Sequence, residues 1–185
     1  VRNNLAVAYY SVGRFGEAVE LFEQVLAERK RLLGSDHPDT LNTRNNLAVA
    51  YDSAGRFAEA VDAWEKLLPD CQRVLGADHP DTLAVRNNLA HAYDSVGRFG
   101  EAIELYEQVL AERERVLGAD HPDTLAVRNN LAGAYDSAGR LAEAIDAWKE
   151  LLPDCQRILG ADHPDTLAVR NNLAVAYYSV GRFGE

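Results

Sequence analysis

The chain repeats itself with a fixed period of forty-two positions, and this period constrains the fold more than any single motif does. The string VRNNLAVAYYSVGRFGE fills residues 1–17 and returns unchanged at 169–185, an offset of four periods. The string GADHPDTLAVRNNLA begins at Gly76, at Gly118 and at Gly160. A second period, twice as long, lies over the first. RFGEAVELFEQVLAERKRLLG (14–34) pairs with RFGEAIELYEQVLAERERVLG (98–118), and RFAEAVDAWEKLLPDCQRVLG (56–76) pairs with RLAEAIDAWKELLPDCQRILG (140–160). Two module types therefore alternate.

Each module reads as two helices. In the module from Gly34 to Gly76, Gly34 stops the preceding helix, because only glycine takes a left-handed cap at little cost. Pro38 suits a first helical turn, where its missing N–H costs nothing, and it pushes His37 out of helical geometry. Asp39 then puts negative charge near the positive end of the helix dipole. The first helix runs to about Ala54, with Leu41, Leu47, Ala48 and Tyr51 as its buried stripe, and Gly55 breaks it. The second helix starts near Arg56 and buries Phe57, Ala60, Val61, Trp64, Leu67 and Leu68, continuing through Cys71, Val74 and Leu75. A lone pair cannot cover both of its apolar faces, so each module needs a neighbour on either side. The expectation is all-α: one array over residues 1–185, with pairs at 1–34, 38–76, 80–118 and 122–160 and an incomplete one at 164–185.

These residues resemble tetratricopeptide repeats. The pattern is Leu47-Ala48, Tyr51, Gly55, Ala60 and Trp64, then Pro80 opening the next module. The resemblance is strongest to the long repeats of kinesin light chains and of sensor regions in bacterial signalling ATPases. It rests on Leu75-Gly76-Ala77-Asp78-His79-Pro80-Asp81-Thr82 and on Asn87-Asn88-Leu89-Ala90, and it covers the whole chain. It implies a right-handed superhelical solenoid of antiparallel helix pairs, with first helices lining a concave groove. It further implies protein or peptide binding without catalysis. Two features depart from the pattern. Arg44 and its equivalents Arg2, Arg86, Arg128 and Arg170 replace a bulky apolar residue, and Pro69 and Pro153 fall inside second helices. A kink or break is predicted near each proline and not near the counterparts Ala27 and Ala111.

With Leu47, Ala48 and Tyr51 facing the partner helix, Asn45, Val49 and Asp52 form the next stripe round, and Asn46, Ala50 and Ser53 the one beside it. The equivalents are Asn87, His91 and Asp94, then Asn129, Gly133 and Asp136, with Asn88 and Asn130 on the adjacent stripe. An asparagine ladder offers donors and an acceptor to a peptide backbone without reading its side chains. Alternatively, one asparagine of each pair ties neighbouring modules together and the other is solvated. Tyr10 and Tyr178 take the aspartate's place in the end modules, and no Lys or Arg falls on the stripe. A neutral or basic ligand segment fits best.

The remaining chemistry is sparse. His37, His79, His121 and His163 recur one per joint, which does not converge ligands on a metal and points instead to a backbone or carboxylate partner. Cys71 and Cys155 lie on apolar faces two modules apart, too far to bridge. No phosphate loop, nucleophile elbow or cofactor motif is present, so an enzyme is the weakest reading. A net charge of −10 disfavours nucleic acid and anionic membranes. With two cysteines and no apolar run long enough to span a bilayer, a cytoplasmic location is expected. The absence of Met and the start at Val1 suggest a fragment of a longer protein. A second helix opening at Arg182-Phe183-Gly184-Glu185 would leave Leu173, Ala174 and Tyr177 bare, which favours head-to-tail self-association. Self-assembly as a structural array, engineered or recently duplicated, and a sensor arm of a signalling protein are therefore the alternatives to a peptide-binding scaffold.

Overall fold

The structure, a computed structural model, describes residues 2–179 and residue 181. Among these, nine helices follow one another: α1 (Arg2–Ser11), α2 (Phe15–Leu33), α3 (Pro38–Ser53), α4 (Phe57–Val74), α5 (Pro80–Ser95), α6 (Phe99–Leu117), α7 (Pro122–Ser137), α8 (Leu141–Ile158) and α9 (Pro164–Ser179). They fall into two compact units, Val1–Val96 and Gly97–Glu185. The segment 182–185, read above as opening a further helix, lies outside the described residues.

Local chemistry sets the boundaries. His37, His79 and His121 are extended, with ψ near 136–137°, as expected ahead of proline, and each is the N-cap of its helix. The imidazole Nδ1 of His37 accepts the Asp39 backbone N–H at 3.1 Å, and His79, His121 and His163 do the same at 3.2 Å. One otherwise orphaned N–H per first helix is thereby satisfied. At the other end α2 stops on Gly34, whose φ of 90° is open to glycine at little strain.

Within each unit, helices pack in sequence order. In the first unit α3 lies between α2 and α4 and also touches α5; in the second, α7 lies between α6 and α8 and touches α9. Ala48, Ala50 and Ala60 are fully buried, which lets backbones approach closely. Trp64, Leu67 and Cys71 of α4, and Trp148, Leu151 and Cys155 of α8, are buried to within 3 % exposure. Leu173 and Tyr177 join the cluster around Trp148. The expectation that they stand bare is corrected, because the face of α9 that carries them packs on the preceding helix; only Ala174 is exposed. Phe57 is also corrected, from core to 41 % exposed, since it starts α4 before the helix has reached its neighbour.

The prolines do not break their helices. α4 runs through Pro69 and α8 through Pro153. Pro69 lies on the exposed face of α4, away from the buried Trp64, Leu67 and Cys71. The adjoining turn is held from outside, because Arg44 donates to the Lys66 carbonyl at 2.9 Å and to the Asp70 carboxylate at 2.7 Å. The module types instead differ at the helix end. α4 and α8 close one residue earlier than α2 and α6, with Leu75 and Leu159 as right-handed caps before Gly76 and Gly160.

Trp64→Ala should cost about 3–5 kcal/mol of unfolding free energy in urea titrations. Trp64→Phe, which copies Phe22 of the alternate module, should cost nearer 1 kcal/mol.

Candidate functional site

The candidate site is the polar edge that neighbouring first helices share. Asn45 on α3 uses its side-chain oxygen twice: it accepts the Trp64 indole N–H at 2.9 Å and the carboxamide N–H of Asn88 on α5 at 3.3 Å. The second unit repeats this, with Asn129 accepting from Trp148 at 2.9 Å and from Asn172 at 3.2 Å. Each asparagine partner lies 43 residues on, one period plus one, so the first stripe of one helix meets the second stripe of the next. Tyr10 and Ser53 meet in the same register at 3.0 Å. The two lone pairs of each Asn45-type oxygen are thus engaged, whereas Asn88 and Asn172 have given one N–H each.

The first module lacks this hub. Phe22 stands where Trp64 does and has no N–H to give, and the Asn3 oxygen is buried without a hydrogen-bond partner. Asn46 turns along its own helix and donates to Asn42 at 3.1 Å. Asn87 and Asn130 are half-buried, as are Asp94 and Asp136, and His91 is exposed. Asp52 is half-buried with one carboxylate oxygen enclosed and unbonded. The structure therefore joins Asn45 to Asn88 and Asn129 to Asn172 directly.

Arginine, not anticipated as a structural element from the sequence, locks first helices to second. Arg44 pairs with Asp70, Arg128 with Asp154 at 2.8 Å, and Arg2 with Glu28, always at the same separation of 26 residues. Asp70 also takes Arg73, which reaches back to both oxygens of Asp36 at 2.7 and 2.8 Å; Arg157 bridges Asp154 and Asp120 likewise. Hydrogen bonds from Arg44 and Arg73 hold the Asp70 carboxyl below its ordinary value, and Arg128 and Arg157 do so for Asp154. At the turn before each second helix, Arg56 stacks over Tyr51 at 4.4 Å while pairing with Glu59, and Tyr51 donates to Glu23 at 2.8 Å. Burial, with that bond, pushes the Tyr51 hydroxyl up to about 12.

Cys71 and Cys155 are free and buried, and burial raises both thiols, Cys71 to about 11. Among the described residues, no three His, Cys, Asp or Glu side chains converge as a metal site would need. No described helix is long and apolar enough to cross a membrane.

Helix pairs buried in series, with a shared polar edge of first helices, define a helical-repeat protein of the all-α solenoid class. The tetratricopeptide-repeat profile matches residues 1–68, 53–114, 95–153 and 137–185, so the chain belongs to the tetratricopeptide-repeat family. Its repeats are of the kinesin-light-chain-like kind. The nearly identical repeats described as a kinesin light chain of Podosopora anserina share 37 % identity, cover 98 % of this chain and 86 % of theirs, and superpose with a TM-score of 0.85. BtubC (BKLC) of P. vanneervenii shares 25 % identity over 97 % of this chain and 71 % of its own, with a TM-score of 0.82. PlcR of Bacillus thuringiensis, solved with the peptide PapR7 and DNA, shares the fold alone, at 19 % identity over 97 % of this chain and 62 % of its own, with a TM-score of 0.71. A search of curated proteins gives no significant match.

The depressed Asp70 and Asp154 carboxyls make a pH prediction. A carboxyl lowered on folding adds stability above its unfolded value, near 3.8, and that stability is lost as pH falls through the lower folded value. Urea melts from about pH 6 to about pH 2 should show this fall, and Asp70→Asn with Asp154→Asn should flatten it.

Proposed function

We propose that this chain is a non-catalytic cytoplasmic scaffold that holds an extended protein segment along its first helices. Asn45, Asn46, Asn87, Asn88, Asn129 and Asn130 supply backbone-pairing carboxamides, with His91, Asp52, Asp94 and Asp136 beside them. The observation that carries this reading is the Asn45–Asn88 bond and its repeat at Asn129–Asn172. It sets carboxamides of adjacent first helices side by side and leaves Asn88 with an oxygen and a second N–H to offer. Asn45 is then a positioning residue, tied down by Trp64, and Asn88 presents the hydrogen bonds. The net charge of −10 and the aspartates on the stripe favour a neutral or basic segment. Membership of a repeat family that includes kinesin-light-chain-like proteins supports a partner that is itself a protein.

The test is a peptide array followed by fluorescence polarisation on the best binder. Replacing Asn46, Asn88 and Asn130 together with Ala should weaken binding about a hundredfold, since each lost hydrogen bond is worth about 1 kcal/mol. An unchanged affinity in a variant whose thermal melt is intact would reject the carboxamide clamp.

A further inference from the structure

The alternation of module types leaves a specific gap. Position 29 of α2 is arginine, and so is its equivalent, Arg113 of α6; in the alternate modules the same position is Cys71 of α4 and Cys155 of α8. Where arginine is present it reaches the first turn of the following helix. Arg29 donates to the Asp39 carbonyl at 2.7 Å, and Arg113 donates to the Asp123 carbonyl at 3.0 Å with the Asp123 carboxylate 3.4 Å away. The Arg113 side chain is only 15 % exposed, so the guanidinium fills the joint.

Where cysteine replaces it, a cavity remains. At Cys155 the cavity measures about 140 Å³, with Leu125, Asn129, Leu159 and Asp165 in its wall. At Cys71 its counterpart measures about 30 Å³, with Leu41, Asn45, Leu75 and Asp81 in the equivalent places. One water needs about 10–15 Å³ on this scale, so the Cys155 cavity has room for several heavy atoms and the Cys71 cavity for about two waters. Asp81 and Asp165 occupy the positions of Asp39 and Asp123, with exposed carboxylates at the cavity mouth. The neighbouring Arg44 does not oppose a second cation there. Its charge is paired with Asp70, and in the first module Arg29 lies beside the equivalent Arg2–Glu28 pair.

We infer that the cavity at Cys155 receives an arginine side chain from the bound segment, its guanidinium donating to the carbonyl and carboxylate of Asp165 as Arg113 donates to Asp123, whereas the smaller Cys71 cavity stays closed to it. This rests on the peptide-scaffold reading and adds a specificity to it: the carboxamides hold the backbone, and the Cys155 cavity selects a basic side chain. The small thiol is what keeps that cavity open. Arginine suits it better than lysine because a planar fork reaches both acceptors at once.

Selective 15N-cysteine labelling of the full chain gives two amide signals, one per cavity. Titration with acetyl-Gly-Arg-Gly-amide should move the Cys155 signal saturably and leave the Cys71 signal, at the smaller cavity, in place. The citrulline analogue, of the same shape without the charge, should bind about tenfold more weakly, in line with the extra strength of a charge-assisted hydrogen bond. Asp165→Asn should weaken the response at Cys155, with the unmoved Cys71 signal as the internal control. A silent Cys155 signal, an equal response to citrulline, or an Asp165→Asn variant that titrates like the parent would overturn the inference. If array peptides bind tightly with the Cys155 signal unmoved, the cavity is wrong and the scaffold stands. If Cys155 answers to arginine while no array peptide binds, the cavity stands and the scaffold fails.

Discussion

Within each unit one first helix, α3 or α7, is covered on two sides by second helices of successive pairs, and the rest of the structure depends on that double burial. α3 lies between α2 and α4, and α7 between α6 and α8. Neither could hide both of its faces inside a single pair. The constraint explains the alanines: Ala48 and Ala50, close together on one helix, are both fully buried. One cluster gathers around Phe22 in the first unit and another around Trp148 in the second, each drawing on helices adjacent in the chain.

Close approach of first helices forces their polar edges together, and those edges are used structurally before any ligand arrives. The Asn45 oxygen serves Trp64 and Asn88 at once, so one side chain fixes both the pair and its junction with the next. Arginines perform the matching task on the second-helix side, clasping Asp70 and Asp154 and reaching back to Asp36 and Asp120. Most of these ion pairs are partly exposed, where each is worth little alone; their effect is to fix register in a stack whose apolar contacts are forgiving. The same repetition frees one position for variation, and at residues 29, 71, 113 and 155 arginine and cysteine alternate.

The sequence announced the helices because their signals are local: the period, the His-Pro joint, the glycines and the apolar stripe at helical spacing. It also announced the family, through motifs that recur in every module. What it concealed was long-range. Nothing local says that Arg44 of one helix meets the Asp70 carboxylate of the next, so its place in the pattern read as an anomaly. Local rules also overestimated Pro69, because they count the lost N–H and the clash of a helix interior, whereas the proline faces water and Arg44 holds the turn beside it. Phe57 misled in the opposite sense, being in phase with the apolar stripe yet too near the helix start to be covered. The stripe itself was legible, but the division of labour between Asn45 and Asn88 was not. Only their pairing across successive first helices shows which carboxamide is engaged from both sides.

Serial burial is tested most directly by removing one whole double repeat, residues 57–140, which joins Arg56 to Leu141 and preserves the alternation of module types. In a stack held by nearest-neighbour contacts, the shortened chain should keep the helical content per residue of the parent and unfold cooperatively, at a lower urea midpoint. Collapse to an unfolded or molten chain on that deletion would mean that the helices share one indivisible core, and would contradict the nearest-neighbour description.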